Sequence, residues 1–276
     1  MQQLNDPQGR QHQVAGSTHQ SIERAIAILG VFTEHEPEIG VGEIARRLDL
    51  HKSTVSRILT TLLDESIVWH HPETGKYSLG MGLVELAGVA LGQIDVRAAA
   101  MPHMEELGAA LNETVTVSVL RGSEAVTVAH LPANQSIRHV AWIGRRIPLR
   151  ATASGKVFLA AYHATGQDWT ELAGLHALEP EAATWVDIMS GELAQIHAQG
   201  YATEIDEFEV GASAVAAPIM DSSGAVVAAL SVAAPSFRFT RSTMHRAAAL
   251  IGHAATAIAA DLGMRHPVAH GGERLG

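Results

Sequence analysis

The sequence predicts an α+β protein with an N-terminal winged helix-turn-helix, a linker helix and a C-terminal domain built on an antiparallel sheet. Three observations predict this. Apolar residues recur at helical spacing in three short segments between positions 21 and 65. Two short strand-like runs follow those helices directly. Further along, alternating apolar runs pair across glycine-containing turns and are flanked by helical segments, which indicates an α+β domain.

The composition allows two domains and excludes several classes of protein. The chain has 276 residues, of which 47% are hydrophobic, so each domain is expected to bury a core. The absence of cysteine excludes disulfides and thiol catalysis. No apolar run reaches the roughly 18 residues that span a bilayer, and the first residues lack a signal-peptide core. We therefore expect a soluble cytoplasmic protein without a membrane partner.

Basic residues are concentrated in one short stretch. The formal net charge of −10 argues mildly against nucleic-acid binding through bulk charge. However, Arg46, Arg47, Lys52 and Arg57 fall within twelve consecutive residues that contain a single acid, Asp49. A DNA-binding face on an acidic body is therefore compatible with the sequence.

The first helix is expected to begin near Ser21, whose side chain is suited to an N-cap position. We place its apolar stripe at Ile22, Ile26, Leu29 and Phe32, which recur at helical spacing. The residues before it are polar and show no periodicity.

The second and third helices form the helix-turn-helix proper. We expect the second helix from Val41 to Leu48, a turn at Asp49-Leu50-His51, and the third helix from Lys52 to Glu65. The second helix turns Ile44 and Ala45 inward. The inner stripe of the third helix is Val55, Ile58, Leu59 and Leu62.

The outer face of the third helix is suited to the major groove of DNA. Ser53, Ser56 and Thr60 are short enough for close approach, and Arg57 is long enough to reach a guanine edge or a phosphate. The helix N-terminus, helped by Lys52, is suited to bind a phosphate. An ordinary solvated face on a helical bundle is the alternative. The predicted DNA-contacting residues are Arg46, His51, Lys52, Ser53, Thr54, Ser56, Arg57 and Lys76.

A hairpin after the third helix predicts a wing. Its strands are expected at Ile67 to His70 and at Lys76 to Leu79, with His71 and the basic end of the second strand close to DNA. A further helical pattern runs from Met81 to Ile94 and contains Gly88 and Gly92. We interpret it as a linker helix that packs across a dimer, with a plain connecting helix as the alternative.

The rest of the chain is expected to alternate helices with antiparallel hairpins. Asp95 is suited to cap the first of these helices, and Pro102 lies within it. The expected strands are 115–120, 125–130, 137–143, 214–220 and 225–233, and the expected helices are 95–111, 154–160, 184–200 and 240–262.

Candidate enzyme motifs are incomplete. The run Ser154-Gly155-Lys156-Val157 lacks two features of a phosphate loop, because Arg150 replaces a glycine and Val157 replaces the magnesium-binding hydroxyl. The segment 211–215 lacks the final glycine of a nucleophile elbow. None of the sixteen histidines has a recognised metal-ligand spacing. We therefore expect no catalysis, no cofactor and no metal.

Four motifs make the chain similar to the IclR family of bacterial transcriptional regulators, over about Ser21 to Leu262. They occur in the order EIARRLDLHKSTVSRILTTL, LRATASGKVFLAA, GYATEIDEFEVGASAVAAPI and VVAALSVAAP. The resemblance implies a GAF-like effector domain and a homodimer or dimer-of-dimers tetramer. It also implies a (pseudo)palindromic double-stranded DNA operator and a small organic-acid effector. The domains expected on this basis are a disordered arm (1–19), a winged helix-turn-helix (20–80), a linker (81–95), an effector-binding and oligomerisation domain (96–262) and a disordered tail (263–276).

The same resemblance implies an effector pocket. Alanine at positions 214 and 233, where relatives that bind very small keto acids carry polar residues, predicts a roomier and less polar pocket and hence a larger, partly aromatic acid. We expect His130, Arg138, Val140 and Trp142 to line this pocket; Trp142 in the core and Arg138 on the surface is the alternative. The residues that the resemblance assigns to the pocket are Ala153, Ser154, Glu204, Ala212, Ala214, Ser231 and Ala233.

Two functions are weighed on the sequence. The first is a ligand-responsive, non-catalytic DNA-binding regulator. The second is a small-molecule hydrolase or binding protein whose N-terminal helices have no specific affinity for DNA. A gel shift on the promoter next to the gene would discriminate between them.

Overall fold

The protein is described from a computed structural model, which covers residues 20–33, 35–92, 94–173 and 180–265. The chain divides between Ala90 and Leu91 into two compact units. The expected disordered arm lies outside the described residues, as do residues 266–276 of the expected tail. Of the helices that the structure describes, none is both long and apolar enough to cross a bilayer.

The N-terminal unit is a winged helix-turn-helix, as predicted. Its helices are α1 (20–29), α2 (Val41–Arg47) and α3 (Lys52–Asp64), and its strands are β1 (Ile39–Gly40), β2 (Val68–His71) and β3 (Lys76–Leu79). The strands form an antiparallel sheet in the order β1-β3-β2. The two-residue strand β1 was not predicted because it is too short to show a period. The core consists of Ile28, Phe32, Ile39, Ile44, Ala45, Val55, Leu59 and Val68.

The predicted inner stripe of α1 was wrong at two positions. Ile22 and Ile26 are 56% and 65% exposed, whereas Ile28 and Phe32 are buried. Apolar residues occur on two faces of this helix, so helical spacing alone does not select the face that the unit buries. Two exposed isoleucines are left on the surface of the unit.

The linker segment is helical from Met81 to Gly92 (α4). Glycine is needed at its first turn, because a Cβ on Gly82 would lie 2.8 Å from the carbonyl oxygen of Glu65. The amide of Gly82 donates to the carbonyl of Ser66 at 2.9 Å, which joins the start of α4 to the end of α3. A Cβ on Gly88 would meet nothing within 4 Å in the structure as described.

The C-terminal unit has one six-stranded antiparallel sheet, as the fold-class prediction requires. The strands are β4 (Thr114–Arg121), β5 (Glu124–Leu131), β6 (Arg146–Pro148), β7 (Ala202–Ile205), β8 (Ala212–Met220) and β9 (Val226–Pro235), in the order β6-β5-β4-β9-β8-β7. The helices are α5 (Asp95–Leu111), α6 (Ala153–Ala164), α7 (Trp169–Leu172), α8 (Pro180–Gln199) and α9 (Arg241–Arg265).

The sheet lies between two layers of helices because its strands are apolar on both faces. One face packs on α5 and α9, with Val115, Val215 and Val232 in that core. The other face packs on α6 and α8, with Ala214 and Ala233 among its residues. Side chains on adjacent residues of a strand point to opposite faces, which explains why neighbouring positions belong to different cores.

The predicted strand 137–143 was wrong. The segment from 132 to 145 contains no strand, and β5 pairs instead with Arg146–Pro148. Side chains satisfy carbonyl groups of this segment: Thr114 donates to the carbonyl of His139 at 2.8 Å, and Arg238 donates to that of Ile137 at 2.8 Å. The alternating residues of this segment therefore do not form a strand, because side chains bind its backbone carbonyls in place of a neighbouring strand.

Three smaller expectations also differ from the structure. Ile94, not Asp95, holds the N-cap position of α5. The tail was expected to be disordered from Gly263, but α9 continues to Arg265. Strand β7 was not predicted, because its four residues carry both apolar and acidic side chains.

Candidate functional sites

The outer face of α3 is exposed, and its only acid, Asp64, lies in the last turn of the helix. Ser53, Ser56, Arg57 and Thr60 are all exposed, while Val55 and Leu59 on the opposite side are buried. The first turn of the helix contains no acidic residue, and the side chain at the N-cap makes no capping hydrogen bond. A helix N-terminus with exposed amides and no negative charge is suited to bind a phosphate.

The arginines of the helix-turn-helix differ in their partners. Arg46 donates to the carboxylate of Glu43 at 2.6 Å, and Arg47 donates to Glu43 at 2.6 Å and to Glu36 at 3.0 Å. These hydrogen bonds lower the pKa of Glu43 to about 2. Arg57, by contrast, makes no ion pair with any residue that the structure describes. The positive charge on the outer face therefore comes from Arg57 and Lys52.

The remaining predicted contact residues lie at both ends of this surface. His51 occupies the N-cap of α3 and is exposed, and Thr54 in the first turn is half-buried. Lys76 is exposed at the start of β3, on the wing. Trp69 on β2 is 60% exposed, which the sequence analysis did not anticipate. A large exposed aromatic on a wing strand adds apolar surface beside the basic residues.

A cavity of about 50 Å³ lies on the α6 side of the six-stranded sheet. Its floor is formed by strand residues with small or hydroxyl side chains, its wall by the start of α6, and its roof by two irregular segments. The floor contains Thr116, Thr127, Ala212, Ala214, Ser231 and Ala233, the wall contains Thr152, Ala153 and Ser154, and the roof contains His139, Ala141, Arg145, Phe208 and Glu209.

The start of α6 is fixed by the residues before it. The hydroxyl of Thr152 accepts a hydrogen bond from the amide of Gly155 at 3.1 Å and donates to the carbonyl of Pro148 at 2.7 Å. A Cβ on Gly155 would lie 2.3 Å from the Cα of Leu149. This close approach brings the helix N-terminus directly against the cavity.

A buried carboxylate occupies the helix N-terminus. Glu204 accepts hydrogen bonds from the amides of Ala153 and Phe208, both at 3.3 Å, and its residue is only 6% exposed. Burial raises the pKa of Glu204 to about 7, although the two amide hydrogen bonds lower it. The carboxyl group is therefore partly protonated near neutral pH.

Both domain profiles of one family match the chain. The model of the IclR helix-turn-helix domain matches residues 21–71, and that of the bacterial transcriptional regulator IclR C-terminal domain matches residues 88–260. The chain belongs to the IclR family of bacterial transcriptional regulators. This confirms the resemblance seen in the four sequence motifs, and the family consists of DNA-binding transcriptional regulators.

Named relatives and solved structures agree with this membership. The HTH-type transcriptional regulator XynR of Escherichia coli (strain K12) is 35% identical over 222 residues, which are 77% of this chain and 85% of that protein. The HTH-type transcriptional repressor AllR of Salmonella typhimurium is 31% identical over 264 residues, 95% of this chain and 96% of that one. The crystal structure of an IclR homologue from Microbacterium hydrocarbonoxydans, complexed with 4-hydroxybenzoate, matches with a TM-score of 0.74 at 28% identity, covering 88% of this chain and 99% of that one.

Four of the eleven residues expected at the effector pocket of this IclR-family chain do not line the cavity, and His130 on β5 is one of them. Val140 and Trp142 are 59% and 41% exposed, and the exposed Arg138 donates to the carbonyl of Gln135 at 3.0 Å. The prediction assumed a strand that placed even-numbered residues inward, whereas His139 and Ala141 face the cavity. The other seven line it, namely Ala153, Ser154, Glu204, Ala212, Ala214, Ser231 and Ala233.

The residues of the cavity roof were not predicted from the sequence. Arg145 forms an ion pair with Glu209, donates to the carbonyl of Val140 at 2.8 Å, and lies over the rings of Trp142 and Phe208 at 4.7 and 5.1 Å. The partners Arg145 and Glu209 are 64 residues apart in sequence, so no local pattern connects them. The glycine at position 144, which has a φ of +87° in the structure, is a local sequence sign that the segment turns before Arg145.

A buried lysine fixes the turn that carries Glu209. The ammonium group of Lys156 on α6 binds the carboxylates of Glu207 at 2.6 Å and Glu192 at 2.8 Å, and the lysine side chain is 2% exposed. Glu207 lies two residues before Glu209. One end of this turn is therefore anchored to α6, while Glu209 reaches the roof.

Proposed function

We propose that this IclR-family chain binds a (pseudo)palindromic operator through α3 and the wing. The proposal rests above all on Arg57, which lies exposed and unpaired in the described structure, on an outer helix face that carries no acid from Lys52 to Thr60. Ser53, Thr54 and Ser56 surround it with short side chains that allow close approach to base edges. Lys52 at the helix N-terminus and Lys76 on the wing bind backbone phosphates.

We further propose that the chain acts as a homodimer or a dimer of dimers, because one head binds DNA weakly. The chain is acidic overall, with a net charge of −10, so bulk attraction to DNA is small. Pairing two heads on two half-sites supplies the missing affinity. Support for an interface comes from α4, where the apolar side chains of Met81, Val84, Leu86 and Val89 are 58–67% exposed.

The ligand of the regulator is proposed to be a small organic acid that binds in the cavity, with an aromatic acid as the first candidate. The homologue complexed with 4-hydroxybenzoate supports this class of ligand. Ala214 and Ala233 leave the floor without bulky side chains, and Phe208 in the roof offers an aromatic face. The cavity of about 50 Å³ is small, so the roof has to move when an aromatic acid enters.

The test of DNA binding is fluorescence anisotropy with a labelled duplex from the promoter next to the gene, against a shuffled duplex. We expect the wild type to prefer the promoter, and Arg57→Ala to weaken that binding by about 1–3 kcal/mol. Arg121→Ala, which removes an exposed arginine from the end of β4, is the matched control and should change nothing. Equal affinity of the wild type for both duplexes would contradict the proposal, and turnover of a small acid by such a protein would favour a hydrolase.

A further inference from the structure

The cavity contains one permanent positive charge among its described lining residues. That charge is Arg145, whose side chain is only 10% exposed. The other ionisable groups of the lining are His139, Glu204 and Glu209. Burial lowers the pKa of His139, whose ring lies 3.6 Å from the carboxylate of Glu209. An acid that enters this cavity finds its strongest electrostatic partner at Arg145.

Two anion-binding groups of the cavity, the first amide of α6 and the guanidinium of Arg145, are each paired with a carboxylate of the chain. Glu204 accepts from the amide at the start of α6 (Ala153), and Glu209 pairs with Arg145. With Glu209 paired to Arg145 and Glu204 only partly protonated, the lining has no net positive charge to attract an anion. An acid that binds Arg145 therefore competes with an internal carboxylate.

Glu209 is the carboxylate that is easier to displace. Its side chain is 42% exposed, and it is followed by Val210, which is 95% exposed, and by Gly211 with a φ of +90°. The carboxylate of Glu209 therefore becomes more fully hydrated when it leaves the roof. Glu204 is buried on strand β7, where its backbone pairs with Ala214, so its carboxylate has no water-exposed position to move into.

Arg145 is held in a position to accept such an exchange. Its guanidinium lies over the rings of Trp142 and Phe208 and donates to the carbonyl of Val140. These contacts do not involve Glu209, so the cation keeps its place when the carboxylate leaves. A guanidinium has five donors in a planar arrangement that matches both oxygens of a carboxylate, which favours bidentate binding.

We propose that Arg145 binds the carboxylate of the effector and that the effector takes the place of Glu209. This proposal rests on the effector-binding role proposed for the cavity, and it assigns the preference of the cavity for acids to the ion pair with Arg145. Release of Glu209 breaks its ion pair with Arg145 and its 3.6 Å contact with His139. The roof then opens at Glu209, while Phe208 stays against Arg145 and Glu207 stays bound to Lys156 on α6.

The experiment is isothermal titration of the full-length protein without DNA, using 4-hydroxybenzoate and pyruvate as probes. The neutral 4-hydroxybenzamide has the shape of the first probe without its charge. We expect the wild type to bind at least one acid and to bind the amide roughly tenfold or more weakly. Arg145→Met should lose roughly tenfold or more of the acid affinity, with little change for the amide.

Glu209→Gln distinguishes displacement from direct contact. If the acid displaces Glu209, this variant binds the acid roughly threefold to tenfold more tightly than the wild type, because a competing charge has been removed. If Glu209 contacts the ligand, the variant binds less tightly and the proposal is overturned. Arg146→Met and Glu124→Gln are matched controls, because Arg146 and Glu124 form an exposed ion pair at 2.9 Å outside the cavity lining. Both should bind the acid within about twofold of the wild type.

Folding and DNA binding are measured separately. Thermal unfolding of each variant shows whether it is folded. If Arg145→Met does not fold, Arg145→Lys replaces it, because it keeps the positive charge and should retain part of the acid affinity. The proposal would be overturned if neither acid binds to the wild type, or if Arg145→Met binds the acid as tightly as the wild type does. If acid binding depends on Arg145 but the protein has no affinity for the promoter, the proposal for Arg145 is upheld and the DNA-binding function is rejected.

Discussion

The carboxylate of Glu204 accepts a hydrogen bond from the backbone N–H of Ala153, the first residue of α6, at 3.3 Å. An internal anion therefore occupies the helix N-terminus that faces the cavity. Because burial raises the pKa of Glu204 to about 7, from 4.5 for the free side chain, the folded protein binds a proton that the unfolded chain lacks between these pH values. The contribution of Glu204 to stability therefore falls as pH rises through this window and is constant above it.

Glu204→Gln should remove this pH dependence. The stability of the variant relative to the wild type should grow between pH 4.5 and 8, by at most about 3 kcal/mol. The substitution also replaces one carboxylate oxygen by an NH₂ group, and the stability lost with that hydrogen-bond acceptor is the same at every pH. The measurement is urea unfolding at pH 5, 6, 7 and 8, with Glu105→Gln, an exposed carboxylate on α5, as the control. A difference between variant and wild type that is flat across pH would show that Glu204 does not bind the proton.

Gly155→Ala should destabilise the C-terminal unit. The added Cβ would lie 2.3 Å from the Cα and 2.4 Å from the carbonyl oxygen of Leu149, and backbone atoms cannot move aside as a flexible side chain can. We expect a loss of about 1–3 kcal/mol. Gly191→Ala on α8 is the control, since its Cβ meets nothing within 4 Å and a helix interior favours alanine by about 0.5–1 kcal/mol. Thermal unfolding should move in opposite directions for the two variants, and equal shifts would contradict the account of this contact.

Val89→Asp should weaken self-association. Val89 on α4 is 66% exposed in one chain, and a charge there would lose its water in an apolar interface. We expect the dissociation constant of the oligomer to rise by about tenfold or more in analytical ultracentrifugation. Ile188→Asp on α8 is the matched control, because Ile188 is 68% exposed and carries the same kind of side chain. A mass distribution identical to that of the wild type would place the interface elsewhere.

Glu43→Gln should strengthen binding to DNA. Glu43 pairs with both Arg46 and Arg47, and its removal frees Arg46 to bind a phosphate. The slope of log affinity against log salt should become steeper by up to about 1. Glu106→Gln on α5 makes the same change in net charge within the other unit and should leave the slope unchanged. Weaker binding by Glu43→Gln would mean that Glu43 positions Arg46 for its contact.

The helix-turn-helix could be predicted from sequence because its determinants are local. Apolar spacing gave α2 and α3 to within one residue at each end, and the same period gave the exposed face that carries Arg57. The period did not give the buried face of α1, where apolar residues lie on two sides. Only packing within the unit decides between Ile26 and Ile28.

All the cavity-lining residues that the sequence predicted lie on a regular helix or strand. The positions at the start of α6 and on β7, β8 and β9 were identified from motifs and line the cavity in the structure. The roof could not be identified in this way, because the segment at 132–145 is held by the side chains of Thr114, Arg145 and Arg238 and not by a ladder. Alternation of residues therefore predicted the wrong side chains, and the pairing of Arg145 with Glu209 depends on contacts between distant segments.

The central claim is that an acid in the cavity changes the affinity of the α3 surface for DNA. It is tested most directly by promoter affinity with and without a saturating acid that titration has shown to bind, in the wild type and in Arg145→Met. We predict a change of about 1–3 kcal/mol in the wild type, in either direction, and none in Arg145→Met at the same acid concentration. Identical promoter affinities of the wild type in the two conditions would contradict the claim.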